Sequence, residues 1–216
     1  MRALTSDRSE SESHSILPLA VLEAIRGLDS PSDEEVAEYV DELLKKRFGL
    51  SDTVSAQIGR YGAVARRDGP VREEELVQIL RLVSRRTDAS LVFADGGRRA
   101  ARRALGRLGA GTLWGARHLP RPLRRFIGIR GARRAAREVF GASVAREGAD
   151  AVAMVDHGVA IRATPDGASC AFFASALAEL LRQLVDFEGT MTHSRCRSRG
   201  DDRCEWRTSP SLERRP

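Results

Sequence analysis

Three cysteines and one histidine near the C-terminus are the residues of this chain best suited to hold a metal ion. They are Cys170, His193, Cys196 and Cys204, spaced Cys-x22-His-x2-Cys-x7-Cys, and they include every cysteine of the 216 residues. Thiolates and imidazoles are the usual ligands of a structural zinc site, and three cysteines with one histidine form a common closed set. Spacing alone leaves two other interpretations open: three reduced cysteines without a metal, or a redox-active disulfide.

A predicted β-hairpin over residues 193–206 brings two of these cysteines together. Its centre is rich in turn-forming residues, and Gly200 can adopt a positive φ. A turn centred on Gly200 places Cys196 opposite Cys204 on antiparallel strands, where paired Cβ atoms lie about 4.5–5.5 Å apart. Two thiolates at that separation can share one zinc ion.

The other two ligands depend on different elements. Cys170 begins the predicted apolar helix CAFFASALAELLRQLV, where the helix dipole favours a thiolate. Side chains of a regular strand alternate between its faces, so His193 and Cys196 reach the same side only with a bend or bulge near Ser194. Zinc bound by three thiolates carries a net charge of −1, which nearby arginines would offset: Arg195, Arg197, Arg199 and Arg203.

The hydrophobic pattern predicts a helical first half and a mixed second half. Helices are predicted over residues 32–48, 53–67, 72–86, 96–108, 123–140 and 170–185. Strands are predicted over residues 143–148, 151–164 and 190–206, with a hairpin turn at Asp156–Gly158. The fold class is therefore α+β, with helices packed on an antiparallel sheet. The expected organisation is a disordered tail (1–15), an N-terminal helical region (16–90), an α+β domain (91–208) and a disordered tail (209–216).

Composition narrows the function classes. No apolar run approaches the roughly 20 residues of a membrane span, and the polar first 15 residues lack the apolar stretch of a signal peptide. A cytoplasmic location, where thiols stay reduced, is therefore expected. No Ser-His-Asp arrangement, GxGxxG, P-loop or paired-carboxylate cleft can be identified. The sequence therefore predicts no catalytic residues.

The chain is basic, with a net charge of +6, and residues 96–137 contain 13 arginines and no acid. Such a block could contact phosphate groups or an acidic protein partner, or it could form solvent-exposed helix faces. Residues 49–61 faintly suggest a helix-turn-helix, but no base-reading set of side chains stands out. Nucleic-acid binding is therefore disfavoured.

The C-terminal third contains an ordered series of motifs: ATPDGASC, the helix FFASALAELLRQLV, and THSRCRSRGDDRCEW. The pattern C-x-x-x-G-D-x-x-C-E-aromatic runs from Cys196 to Trp206, and the Gly- and Ala-rich segment ADGGRRAARRAL precedes it at residues 94–105. Together these motifs resemble the 4-vinyl reductase domain family over residues 90–208, weakly between 106 and 148. The resemblance implies an α+β ligand-binding fold related to haem–NO sensors and to subunits of the Golgi transport particle.

The resemblance also implies a structural Zn²⁺ ion. In phenol-responsive activators of this family, three cysteines and a glutamate bind zinc. By position the cysteines match Cys170, Cys196 and Cys204, and the glutamate matches His193. The chain departs from the family there, but histidine is an equally competent zinc ligand.

Family members hold a small apolar or aromatic ligand between helices and sheet. The residues that could line such a pocket here are Trp114, His118, Phe126, Phe172 and Phe173, although residues of these types are more often simply part of the core. The implied function is a zinc-stabilised small-molecule binding or sensor protein without catalytic activity. Two alternatives are an accessory or carrier protein in tetrapyrrole or bacteriochlorophyll metabolism, and a protein-interaction scaffold. The resemblance also makes a homodimer an expectation.

Overall fold

In the computed structural model, which describes residues 11–29, 51–147, 150–156 and 158–210, helices pack on a four-stranded antiparallel sheet. This confirms the α+β class predicted from the sequence. The helices are α1 (Ile16–Asp29), α2 (Ser51–Ala65), α3 (Glu73–Val83), α4 (Ala89–Gly106), α5 (Ala110–His118), α6 (Arg121–Phe140), α7 (Val159–Ala163) and α8 (Cys170–Val185). The strands are β1 (Glu12–His14), β2 (Pro70–Arg72), β3 (Ala142–Glu147), β4 (Asp150–Val155), β5 (Gly189–Arg195) and β6 (Cys204–Pro210).

The main sheet has the strand order β3-β4-β6-β5, and every neighbouring pair is antiparallel. Helix α8 packs between α4 and α6 and also contacts β5. Small residues allow this packing, because a Cβ added at Gly97 of α4 or at Gly128 of α6 would overlap a main-chain carbonyl oxygen of α8. Helix α8 therefore connects the helical layer to the sheet.

The N-terminal elements share the same core. Helix α1 packs against α2 and α4, and five of its buried residues belong to a cluster that extends to Trp206 of β6. Leu19 and Leu22 of α1 instead pack with Tyr61 and Val71 in a second, smaller cluster. Strand β1 pairs with β2 in a separate two-stranded sheet, with Ser13 opposite Val71. Residues 1–15 were predicted to be a disordered tail, but strand β1 lies within them. Main-chain pairing does not require apolar side chains, so a polar segment can still form a strand. Residues 1–10 and 211–216 lie outside the described residues.

Two sequence-based assignments are corrected. Residues 159–163 form helix α7 and not a strand, because the helix docks on α3 through ion pairs from Arg162 to Glu73 and Glu74. Strand β4 therefore pairs with β3, and the predicted turn at 156–158 leads into α7; His157 is not described. The Gly- and Pro-rich segment before α6 contains helix α5, which ends where Leu119 is extended ahead of Pro120.

Two further predictions concern the helix over residues 32–48 and the lack of a membrane span. The helix predicted over residues 32–48 lies outside the described residues. Among the residues that are described, no helix is long and apolar enough to cross a membrane.

Candidate metal centre

The four predicted metal ligands converge in one cluster. The ligand atoms of Cys170, His193, Cys196 and Cys204 all lie within 4.8 Å of one another, and the cluster could hold a metal ion. The Sγ atom of Cys170 lies 3.9 Å from Sγ of Cys196 and 3.9 Å from Sγ of Cys204. Zinc–sulfur bonds of about 2.3 Å in a tetrahedron place the sulfur atoms about 3.8 Å apart. The thiols therefore have the spacing that a tetrahedral metal ion requires.

The same distances bear on the disulfide alternative. A disulfide joins two sulfur atoms at about 2.05 Å, well below the observed separation. All three cysteines are free and buried. The structure therefore presents three thiols in contact around a common centre.

A tight turn places Cys170 at the start of α8. The residue is buried, and its main-chain N–H donates to the carbonyl oxygen of Gly167. Gly167 has φ of +81°, and a Cβ there would lie 2.8 Å from Ser198 Oγ and 3.3 Å from Cys196 Sγ. Glycine is thus required twice, by the backbone conformation and by the close approach of the β5–β6 loop.

Hydrogen bonds fix the main chain around Cys196. Asp201 Oδ2 accepts a hydrogen bond from the Cys196 N–H at 2.7 Å, and the Cys196 carbonyl accepts from the N–H of Arg199 at 2.9 Å. Gly200 closes the turn with φ of +89°, as its position in the predicted hairpin indicated. Asp201 was not among the predicted site residues; the signal that could have identified it is an Asp next to Gly in a turn, since Asp side chains commonly accept main-chain N–H groups there.

A bulge turns His193 toward the cluster. The β5–β6 register shifts between His193 and Arg195, which confirms the irregularity predicted near Ser194. Ser194 Oγ donates to the carbonyl oxygen of Glu205 at 3.1 Å and holds the bulge against β6. The Nε2 atom of His193 is buried and makes no hydrogen bond of normal geometry among the described residues, although the imidazole is close enough to the Cys204 thiol to help lower its pKa. A buried ring nitrogen without a partner fits a metal ligand, because coordination would satisfy it.

Cys170 and Cys204 differ strongly in acidity. The hydrogen bond from Cys170 lowers the pKa of Cys204 to about 4, against the opposing effect of burial. The hydrogen bond to Cys204 and burial raise the pKa of Cys170. The cluster therefore accepts a first thiolate easily and resists a second, because two buried negative charges repel each other. A bound cation removes that repulsion, so the donor set fits a divalent metal ion.

The surrounding arginines bind the loop that carries Cys196. Arg197 Nε donates to the carbonyl oxygen of Asp202 at 2.8 Å, and Arg199 donates to the carbonyl oxygen of His193 at 3.3 Å. Arg195 and Arg203 lie 3.6 and 3.8 Å from carboxylates, those of Asp202 and Glu205. These contacts hold the loop in place. The arginines were expected to offset the negative charge of the metal centre, but nearby carboxylates also pair with Arg195 and Arg203.

The five aromatic and histidine residues predicted to line a ligand pocket fall into two groups. Trp114 and Phe126 are 58% and 62% exposed, and His118 stacks on Trp114 with ring centroids 5.4 Å apart. Phe172 and Phe173 are fully buried in the core. Three cavities of the described residues are lined by other side chains. The ligand-binding role of these five residues stays a prediction.

Comparisons with protein-family models, with curated proteins and with solved structures find no match to this chain.

Proposed function

We propose that this protein is a small-molecule binding or sensor module whose fold is stabilised by a structural zinc ion, and that it has no catalytic activity of its own. The observation that carries the zinc proposal is the set of three thiols and one imidazole within 4.8 Å of one another. Zinc prefers sulfur and nitrogen donors in tetrahedral geometry, whereas calcium and magnesium prefer oxygen. Four protein donors complete the coordination of a structural site.

The role of the metal follows from the elements that supply its ligands. Cys170 comes from the start of α8, whereas His193, Cys196 and Cys204 come from the β5–β6 hairpin. Zinc, when bound, supplies a cross-link without redox chemistry of its own. The residues of this chain would then join the central helix to the sheet at one point, and metal binding would contribute directly to the free energy of folding.

Elemental analysis of the purified full chain tests the metal proposal. We expect about one zinc per chain in wild type and a strong loss of zinc in Cys196→Ser. A zinc chelator should lower the melting temperature of wild type by about 10 °C or more, while that of Cys196→Ser, already lower, should not respond. Wild-type protein that contains no zinc and whose melting temperature is indifferent to zinc and chelator would sink the proposal.

The ligand-binding part of the proposal is supported by the resemblance to 4-vinyl reductase domains. A ligand that binds only the folded state raises the melting temperature as its concentration increases. Thermal melts of the zinc-loaded protein with phenol and with a chlorophyll precursor separate the sensor role from the tetrapyrrole role; binding of the precursor would also shift its Soret band. If neither compound changes the melt, this part of the proposal is wrong, whereas the zinc content is judged independently.

A second candidate function is a protein-interaction module. Among the side chains that the structure describes, three large apolar ones are exposed on α5 and α6: Trp114, Leu123 and Phe126. They lie within the segment 96–137, which contains arginines and no acid. Exposed apolar groups beside cations are typical of a surface that contacts an acidic protein. Salt-sensitive binding of poly-L-glutamate that is weakened in Phe126→Ser would support this candidate, and equal binding by both proteins would count against it.

A further inference from the structure

A cavity lies between α1, α2 and α4 and shares no residue with the cysteine cluster. Its volume is about 530 Å³, within the range of about 300–1,000 Å³ that is usual for ligand pockets. Two cavities between helices and sheet, the region where the family resemblance implies a ligand, measure only about 180 and 210 Å³. The larger cavity is therefore the better candidate for a small-molecule site.

Glycines keep this cavity open. Gly59 and Gly62 of α2 and Gly106 of α4 line it, although glycine destabilises a helix relative to alanine. No described atom lies within 4 Å of a Cβ added at Gly59 or Gly106. Gly97 and Gly128, by contrast, are required by close packing against α8. Gly59 and Gly106 are exposed, so packing does not explain them; their Cβ positions face the open side of the cavity.

The cavity has an apolar wall and two compensated ion pairs. The apolar wall includes Ile16 and Leu19 of α1 and Ile58 of α2. Arg103 of α4 binds Glu23 of α1 at 2.5 Å, and Arg107, which directly follows α4, binds Asp68. The two charges of each pair neutralise each other, so the pairs present no net charge to a ligand.

Arg66 supplies the remaining charge. It lines the cavity, and its guanidinium lies over Gly62, 3.7 Å from the position of an added Cβ. Within the part of the chain that the structure describes, no carboxylate lies within ion-pair distance of Arg66. The cavity thus combines an apolar wall with Arg66, an exposed cation that has no carboxylate partner among the described residues.

We propose that this cavity binds an amphiphilic monoanion, with its apolar body against Ile16, Leu19 and Ile58 and its carboxylate or sulfonate group on Arg66. The inference deepens the proposed ligand-binding function and rests on it, and it is independent of the zinc proposal. It also places the ligand away from the aromatic residues predicted from the sequence.

Two fluorescent probes that differ by one charged group test this proposal on the full chain. The anion 8-anilinonaphthalene-1-sulfonate and its neutral analogue N-phenyl-1-naphthylamine share the same aromatic body, and both increase in fluorescence in apolar sites. We expect one binding site for each. Arg66→Gln should weaken binding of the sulfonate about fivefold and that of the neutral probe less than about twofold, because only the sulfonate contacts the guanidinium.

Filling the cavity should weaken the binding of both probes. Gly59→Leu and Gly106→Leu each place an apolar side chain in the open space, and we expect about tenfold or weaker binding of both probes. Thr53→Leu is the matched control, since it adds the same side chain to an exposed position of α2 outside the cavity. Thermal melts of all variants establish that they are folded.

Several outcomes would overturn the proposal. Wild type that binds neither probe, or folded Gly59→Leu and Gly106→Leu variants that bind both probes as wild type does, would show that the cavity is not the site. An equal effect of Arg66→Gln on both probes would exclude the anionic contact. If a ligand still raises the wild-type melting temperature in one of these cases, the general ligand-binding function remains supported, and only the location in this cavity is refuted.

Discussion

The imidazole of His193 stacks on the indole of Trp206, with ring centroids 4.8 Å apart and planes inclined by only 10°. The two residues face each other across β5 and β6, and Trp206 is almost completely buried. The indole therefore limits the rotation of the imidazole, while the adjacent bulge directs the ring toward the three thiols. His193 is thus oriented by its neighbours before any metal binds.

Removing the indole ring of Trp206 should weaken binding of the proposed zinc ion. We expect Trp206→Leu to reduce zinc affinity about tenfold, because partners that orient a ligand affect affinity at this scale, whereas Trp206→Phe keeps a flat ring and should lose less. Competition with a chromophoric chelator measures both affinities. Phe93→Leu, which removes another fully buried ring from α4, controls for general destabilisation. Equal affinities in Trp206→Leu and Trp206→Phe would argue against an orienting role.

The side chain of Asp201 should stabilise the loop around Cys196. Asp201→Ala removes the acceptor for the Cys196 N–H and should lower the free energy of unfolding by about 1 kcal/mol. Asp201→Asn keeps an acceptor oxygen and should cost less. Urea denaturation of the zinc-loaded proteins measures the difference. If alanine and asparagine behave alike, the hydrogen bond does not hold the loop.

Two glycines of α4 should respond oppositely to alanine. A Cβ at Gly97 overlaps the carbonyl oxygen of Phe172, so Gly97→Ala should destabilise the protein by about 2 kcal/mol or more. A Cβ at Gly106 meets open space, so Gly106→Ala should stabilise it by about 0.5 kcal/mol through helix propensity. Denaturation midpoints at unchanged m-values give both changes. A neutral Gly97→Ala would contradict the tight packing of α4 on α8.

His14 should make stability fall in mild acid. Burial, with the nearby positive charge of Arg107, lowers its pKa from 6.5 to about 4. Above pH 6.5 the residue is neutral in both states and has no effect. Between pH 6.5 and 4 the unfolded chain takes up the proton first, so the free energy of unfolding decreases.

The expected loss that is specific to His14 is about 1 kcal/mol between pH 7 and pH 5, after allowance for partial exposure. The Nδ1 atom accepts a hydrogen bond from the N–H of Ile16 at 3.1 Å, and asparagine can replace that acceptor. His14→Asn should therefore remain folded and lose less stability over the same range. Parallel pH profiles of the two proteins would show that His14 does not titrate as described.

The cysteine cluster was predictable because its determinants are local. The turn around Gly200 brings Cys196 near Cys204, and strand alternation alone demands the bulge between His193 and Cys196. The position of Cys170 at the first turn of α8 follows from one long apolar helix. The β1–β2 pair was not predictable in this way, because it joins segments that are almost 60 residues apart and carry no strand pattern of their own.

Short segments and aromatic side chains show where local patterns fail. In residues 159–163, alternate positions are apolar as in a strand, but buried Val159, Ala160 and Ala163 also fit one face of a helix. The contacts of Arg162 with α3 decide between the two. The exposure of Trp114 and Phe126 depends on which neighbours cover α5 and α6, and that information is absent from the residue type.

The arrangement of the cysteine cluster also sets an order of assembly. A chain growing from its N-terminus releases Cys170 first and Cys204 last, so the fourth donor becomes available only when β6 emerges. By then helices α1 to α8 have all been synthesised and can already pack. In a zinc-starved cell, the proposed centre would thus leave chains with a complete helical layer and an unsecured hairpin, and their thiols would be open to oxidation or to competing metals.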